Sequence, residues 1–170
     1  MNYNNARYEK SYGTSAQLEK SDILLDAYSG IGTIGIIASD YVKQVQGIEY
    51  NAAAVRDAVR NCQLNGLTRN IAFNKGDAGE FLQKKAKLGT HYDAVIMDPA
   101  RAGADRKFLN ALVKVAPKRI VYISCNPASQ ARDLKTLVKR YKVESIQPFD
   151  MFPHTRHTET IVTLSCKEPD

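Results

Sequence analysis

From residue 23 onward, apolar runs of strand length alternate with stretches of helical periodicity. We predict strands at residues 23–28, 45–50, 71–74, 92–97 and 119–124, and helices near residues 33–40, 51–65, 78–87, 106–115 and 129–140. This alternation forms right-handed β-α-β units, which place the strands in a parallel sheet covered by helices. Two further strands, at residues 143–148 and 159–165, follow without a helix between them, so they can pair as an antiparallel edge of an α/β sheet.

The length of 170 residues suits one domain, so we expect a single domain over residues 1–170, with residues 1–22 as a lead-in segment. The polar start MNYNNARYEK does not resemble a signal peptide, and no apolar run is long enough to span a membrane. We therefore expect a cytoplasmic protein without a membrane partner. The three cysteines are widely spaced and form no CxxC pair, so neither a zinc site nor a disulfide framework is expected.

The net charge of +6 is uneven, because residues 86–170 carry five of the six excess positive charges. An excess of this kind suggests a polyanionic partner such as RNA, although many soluble proteins carry it without one. Arg132, Lys135 and Lys139 would share one face of the helix predicted after the fifth strand. That face is either a path for a phosphate backbone or an ordinary solvated surface.

Gly30, Gly32 and Gly35 follow the first predicted strand with the spacing GxGxxG, and Glu49 ends the second strand. In dinucleotide-binding units this pattern gives a tight turn, a close backbone approach to the ligand and an acid for the ribose. A plain strand-to-helix turn is the simpler alternative. The loop therefore predicts an adenosine cofactor, either NAD or S-adenosylmethionine.

Other acidic residues favour S-adenosylmethionine. Asp26, inside the loop, would repel a pyrophosphate but suits a cationic ligand. Asp77 follows the third strand, where it can accept a hydrogen bond from adenine, and Asp98 follows the fourth. For each acid alone, capping a helix is the simpler alternative, but together they line the crevice where open α/β sheets bind ligands. The layout resembles that of class I S-adenosylmethionine-dependent methyltransferases.

Cys125, at the end of the fifth strand, suggests which atom is methylated. Carbon 5 of a pyrimidine is a poor nucleophile, but a thiolate that adds to C6 activates it, and a base must then remove the C5 proton. Glu159, His154 and His157 lie in or next to an irregular polar segment and are candidates for that base. A small buried cysteine and surface histidines are the simpler interpretations.

Four segments, in this order, resemble one family: residues 26–35, residues 98–103, Ser124-Cys-Asn-Pro127 with Ala131-Arg-Asp-Leu134, and residues 150–159. They resemble the RNA (uracil-5-)-methyltransferases, which make 5-methyluridine in 23S rRNA or tRNA with S-adenosylmethionine. The resemblance implies a class I methyltransferase fold with a mostly parallel seven-stranded sheet. It also implies a monomer that acts on RNA, and we expect rRNA rather than tRNA.

The resemblance further implies a role for each matching residue. Cys125 is the nucleophile and Glu159 is the base. The cofactor contacts fall on Asp26, Tyr28, Gly30, Gly32, Glu49, Asp77 and Asp98, and the substrate contacts fall on Arg101, Asn126, Pro127 and His154. No metal ligand is implied.

The chain departs from the family pattern at Ala100 and Ala102, which replace a second proline and a lysine of Asp-Pro-Pro-Arg-Lys-Gly. Family members are usually more than twice this length and carry an N-terminal RNA-binding domain, which we do not expect within these residues. Two rival functions stay open. One is methylation of an exocyclic amine, which needs no thiol but uses an aromatic residue missing after Asp98-Pro99. The other is a non-catalytic RNA-binding remnant.

Overall fold

The computed structural model describes residues 17–67, 69–150 and 158–167, and it forms one seven-stranded sheet flanked by helices. The strands are β1 (Ile23–Ala27), β2 (Gln44–Glu49), β3 (Ile71–Lys75), β4 (Ala94–Met97), β5 (Arg119–Ser124), β6 (Tyr141–Phe149) and β7 (Glu159–Cys166). The helices are α1 (Thr33–Ala38), α2 (Ala52–Leu64), α3 (Ala78–Lys87), α4 (Arg106–Val115) and α5 (Pro127–Leu137). The alternation in the sequence therefore predicts the element order correctly.

The strands lie in the order β3-β2-β1-β4-β5-β7-β6. The first five pair in parallel, whereas β7 runs antiparallel to both of its neighbours, β5 and β6. The expected antiparallel edge is confirmed, with β7 inserted between β5 and the outer strand β6. This insertion brings the start of β7 beside the end of β5.

Two apolar clusters cover the two faces of the sheet, because successive strand residues point to opposite sides. On one face, buried residues of α3, α4 and α5 such as Leu82, Phe108 and Leu137 pack against the sheet. The other face packs against α1, through residues that include Ala38 and Val121. A sheet buried on both faces explains why its strands read as continuous apolar runs.

The last helix differs most from its predicted bounds of 129–140, because it begins at Pro127 and ends at Leu137. The Asn126 side chain caps it by accepting a hydrogen bond from the Ala128 amide at 3.1 Å, and Pro127 occupies the first turn, where its missing N–H loses nothing. The helix that carries the cysteine loop therefore starts two residues earlier than its apolar pattern indicates. Among the described residues, no helix has the length and apolar character needed to cross a bilayer.

Candidate active site

The glycine loop connects β1 to α1, and two of its glycines have left-handed conformations, Gly30 (φ 54°) and Gly32 (φ 85°). A methyl group on Gly32 would lie 2.6 Å from the ring of Phe73 and 3.0 Å from Cβ of Ala58, so the backbone there is packed tightly against α2 and β3. A methyl group on Gly30 would meet nothing within 4 Å. The loop is thus anchored at Gly32 and open at Gly30, the side from which a ligand can approach the backbone.

Asp26 lies in β1, one residue before its end, and not inside the loop as the sequence suggested; only 1% of its surface is exposed. Its Oδ2 accepts a hydrogen bond from the Gly35 amide at 2.9 Å, whereas its buried Oδ1 has no hydrogen-bond partner among the described residues. Burial raises the pKa of Asp26 to about 7, and the negative charges of Asp98 and Glu49 add to the shift. A carboxyl in these surroundings is stabilised as an anion when a cationic ligand group lies nearby.

Glu49 ties the second strand to the glycine loop. Its Oε2 accepts a hydrogen bond from the Gly30 amide at 3.0 Å, and its Oε1 accepts one from the Asn51 amide at 2.7 Å. Each carboxylate oxygen has a second lone pair, so the same group can still accept hydrogen bonds from a diol.

The neighbouring Tyr50 was not singled out in the sequence analysis, although 76% of this residue is exposed. An aromatic residue directly after a candidate ribose acid was the signal that could have identified it.

Two predicted cofactor residues have structural contacts of their own. Asp77 caps α3, because its Oδ1 accepts a hydrogen bond from the Glu80 amide at 2.8 Å. Tyr28 has a left-handed backbone (φ 61°), and its ring packs edge-on against Phe108 with centroids 5.2 Å apart. The capping alternative therefore holds for one oxygen of Asp77, and the ring of Tyr28 contributes to the core beneath the loop.

Cys125 and Glu159 lie next to the same end of the antiparallel ladder. The register of β5 with β7 ends at the pair Ser124 and Thr160. Cys125 directly follows Ser124, and Glu159 directly precedes Thr160. The predicted nucleophile and base therefore lie at one end of the ladder.

Asp98 follows β4 and lies near this pair. The pKa of Asp98 is raised to about 7, because the surrounding protein removes water from the carboxyl and the negative charge of Glu159 adds to the shift. Part of the residue nevertheless remains exposed to solvent. Strand alternation sets Asp26, Glu49 and Glu159 on the face covered by α1. Asp98 and Cys125 directly follow β4 and β5, and the alternation of these strands, extended by one residue, assigns them to the same face. Four carboxyl groups and one thiol thus belong to the same edge of the sheet, where the parallel strands end and β7 begins.

The loop that bears Asp98 and Arg101 is fastened to the start of α5. The Asn126 side chain donates to the Arg101 carbonyl at 3.1 Å, and the Ser129 hydroxyl donates to the same oxygen at 3.0 Å. The side chain of Asn126 is therefore used in capping and in holding the loop, while Arg101 is exposed at the crevice. These contacts restrict the loop where Ala100 replaces a proline.

A second set of contacts gives Arg132, at the start of the predicted basic face, structural partners. The Arg132 guanidinium donates to Oδ1 of Asp133 at 2.9 and 2.7 Å and to the Ala102 carbonyl at 2.7 Å. The buried Asp133 in turn accepts hydrogen bonds through Oδ2 from the Ala104 amide at 2.8 Å and the Tyr122 hydroxyl at 2.7 Å. Arg132 is thus part of a structural network.

The prediction that Arg132, Lys135 and Lys139 share one face of the helix was wrong, since α5 ends at Leu137 and Lys139 lies beyond it. Contact of these residues with a phosphate backbone stays one of the two alternatives. His154 and His157 lie outside the described residues. Within the parts of the chain that the structure describes, no group of three or more His, Cys, Asp or Glu side chains gathers as a metal site would require.

Comparison with known proteins agrees with this arrangement. A family model for tRNA (uracil-5-)-methyltransferase matches residues 9–167. An uncharacterised RNA methyltransferase of Bacillus anthracis is 42% identical over 153 residues, which are 90% of this chain and 33% of that protein. The chain spans about a third of the length of the curated relatives it matches.

Solved structures give the same fold. The Pyrococcus abyssi tRNA (uracil-54, C5)-methyltransferase in complex with S-adenosyl-L-homocysteine is 33% identical with a TM-score of 0.80, covering 95% of this chain and 38% of that chain. NSun6 from Pyrococcus horikoshii, with a TM-score of 0.77 over 95% of this chain and 52% of that chain, is 16% identical and supports the fold alone. The predicted class I methyltransferase fold and the family resemblance are confirmed. Because the family match spans nearly the whole sequence, the chain belongs to the tRNA (uracil-5-)-methyltransferase family.

Proposed function

We propose that this chain transfers a methyl group from S-adenosylmethionine to carbon 5 of a uracil in RNA, with Cys125 as nucleophile and Glu159 as base. The observation that supports the proposal is the register of β5 with β7, whose last pair is Ser124 and Thr160, so that Cys125 and Glu159 are the next residues at the same end of the ladder. A thiol and a carboxylate on one face are the pair that C5 methylation of a pyrimidine requires. Methylation of an exocyclic amine would leave this pair without a purpose.

The residues of the glycine loop suit S-adenosylmethionine. The open backbone at Gly30 leaves room for the cofactor, Glu49 can accept the ribose hydroxyls, and the buried Asp26 carboxyl suits its cationic end. The exposed ring of Tyr50 offers a stacking surface for adenine. When bound, the cofactor supplies the methyl group as an electrophile on its sulfonium.

Two side chains of this chain supply the nucleophile and the base that the reaction on uracil needs. The Cys125 thiolate adds to C6, and the displaced electron pair makes C5 a nucleophile that accepts the methyl group. Glu159 then takes the C5 proton, the double bond between C5 and C6 re-forms, and the thiolate leaves. The proton ends on Glu159 and passes to solvent, so the enzyme returns to its starting state.

RNA is the expected partner because the chain carries a net charge of +6. The family name and the archaeal neighbour refer to tRNA, whereas our sequence analysis favours 23S rRNA. The preference for rRNA stays a prediction, and both RNAs belong in its test.

A covalent trap tests the proposed function. The chain is incubated with S-adenosylmethionine and with 23S rRNA or tRNA transcripts that contain 5-fluorouridine. Fluorine at C5 cannot be removed as a proton is, so the thiol adduct persists. We expect mass spectrometry to find the nucleotide on the peptide that contains Cys125, and the Cys166→Ala variant to form the same adduct. Methylation of RNA without any adduct at Cys125 would instead support an exocyclic amine as the target. RNA binding without adduct or methylation would support the binding remnant.

A further inference from the structure

The buried side chain of Gln130 crosses between two strands beneath the proposed nucleophile and base. Only 2% of this residue is exposed, although a glutamine on the sheet-facing side of a helix must find hydrogen-bond partners to be buried without loss. Its Nε2 donates to the Tyr122 carbonyl on β5 at 2.9 Å and to the Thr160 carbonyl on β7 at 3.2 Å. One amide group therefore joins two neighbouring strands from α5.

The position of these two carbonyls matters because the ladder ends there. Thr160 belongs to the last pair of β5 with β7, Glu159 directly precedes it, and Cys125 directly follows its partner Ser124. The ends of a strand ladder are the parts that open most readily, since they have a neighbour on one side only. A clamp at Thr160 restrains this end.

We propose that Gln130 is a positioning residue that sets the separation between Cys125 and Glu159. The inference rests on the proposed function for the roles of those two residues, but the clamp itself is a matter of geometry. Gln130 acts through the backbones of β5 and β7 and touches neither the uracil nor the cofactor. A larger or variable separation would slow both adduct formation and proton removal, which need the two side chains in fixed places.

Alkylation of Cys125 by anionic iodoacetate, compared with neutral iodoacetamide, measures this separation without RNA. The sulfur forms a C–S bond, iodide leaves, and the thiol proton passes to the buffer. In the chain with Gln130, Glu159→Gln should raise the rate with iodoacetate about three- to tenfold relative to the rate with iodoacetamide, because a nearby carboxylate repels the anionic reagent. In a Gln130→Met background, which keeps the side-chain length but has no hydrogen to donate, the same change should have less than about a twofold effect.

Two controls accompany the measurement. Gln83→Met makes the same substitution on the exposed surface of α3 and should leave the effect of Glu159→Gln unaltered. Binding of S-adenosylhomocysteine checks that each variant is folded. If Gln130→Met does not fold, Gln130→Asn takes its place, because an amide one methylene shorter cannot reach both carbonyls.

An equal effect of Glu159→Gln with and without the Gln130 amide would overturn the inference. If Glu159→Gln had no effect on the relative rate of alkylation in the chain with Gln130, the inference would be overturned too, because Cys125 and Glu159 would then not be held close to each other. A failure to trap RNA on Cys125 would contradict the proposed function and leave the alkylation result standing. The two ideas can therefore fail separately.

Discussion

The Glu49 carboxylate accepts the Gly30 amide hydrogen at 3.0 Å, so the proposed ribose acid also fixes the most open point of the glycine loop. Its other oxygen accepts from the Asn51 amide, at the start of α2. One side chain thus connects β2, the loop and α2. A change at Glu49 removes a ligand contact and loosens the surface that the ligand meets.

Replacing Glu49 with alanine should weaken binding of S-adenosylhomocysteine about ten- to hundredfold, which corresponds to the loss of one or two charge-assisted hydrogen bonds. Isothermal titration calorimetry measures the affinity. Glu80→Ala, an exposed carboxylate in the first turn of α3, is the matched control and should change the affinity little. Binding of the Glu49 variant within twofold of the unaltered chain would show that the ribose lies elsewhere.

The two left-handed glycines should respond differently to alanine. Gly32→Ala forces a methyl group against Phe73, so we expect a loss of about 2–4 kcal/mol in the free energy of unfolding, measured by urea denaturation. Gly30→Ala has open space around its methyl group and should lose only about 1 kcal/mol. Its methyl group enters the proposed ligand space, so its effect should appear mainly as weaker binding of S-adenosylhomocysteine. Equal losses of stability would contradict the anchored-and-open description of the loop.

Asp26→Asn should change how stability depends on pH. Burial raises the pKa of Asp26 to about 7, so the folded protein favours the protonated carboxyl. The stabilisation that this carboxyl gives is complete below its unfolded-state pKa of about 4 and is lost as the pH rises through 7. Asparagine keeps an oxygen for the Gly35 amide and never ionises. Between pH 5 and pH 8, the free energy of unfolding of the variant should therefore rise relative to that of the unaltered chain, by up to about 1.4 kcal/mol per pH unit. A difference in unfolding free energy that stays constant over this range would contradict the raised pKa.

Arg132→Ala should act on stability rather than on RNA affinity. The guanidinium is 59% exposed, so its ion pair with Asp133 is screened, and we expect a loss of about 1 kcal/mol in the free energy of unfolding. Lys135→Ala, on the exposed surface of the same helix, is the control and should leave stability unchanged. The salt dependence of RNA binding should be unaffected by Arg132→Ala, and a clear fall in its slope would return Arg132 to the RNA interface.

The fold could be predicted because strand-length apolar runs and helical periods repeat along the chain. The start of α5 could also have been found, since an asparagine followed by proline is a typical helix N-terminus. The contacts of Arg132 with Ala102 and of Gln130 with Thr160 could not, because each joins segments about 30 residues apart. The insertion of β7 between β5 and β6 does not follow from the strand pattern either, and it brings Glu159 to the end of the ladder that Cys125 follows.

The central claim is that Cys125 and Glu159 act at different steps on the same uracil, and a denaturing gel tests it directly. Cys125→Ser should give neither methylated RNA nor a protein–RNA adduct, because a serine alkoxide is not available at neutral pH. Glu159→Gln should still add the thiol to C6 but remove the C5 proton poorly, so its adduct should accumulate with unmodified RNA substrate and S-adenosylmethionine. Absence of adduct in the first variant and accumulation in the second is the predicted result. Normal turnover by Glu159→Gln, together with a trapped adduct in His157→Ala, would contradict the assignment of the base, and methylation by Cys125→Ser would contradict the mechanism.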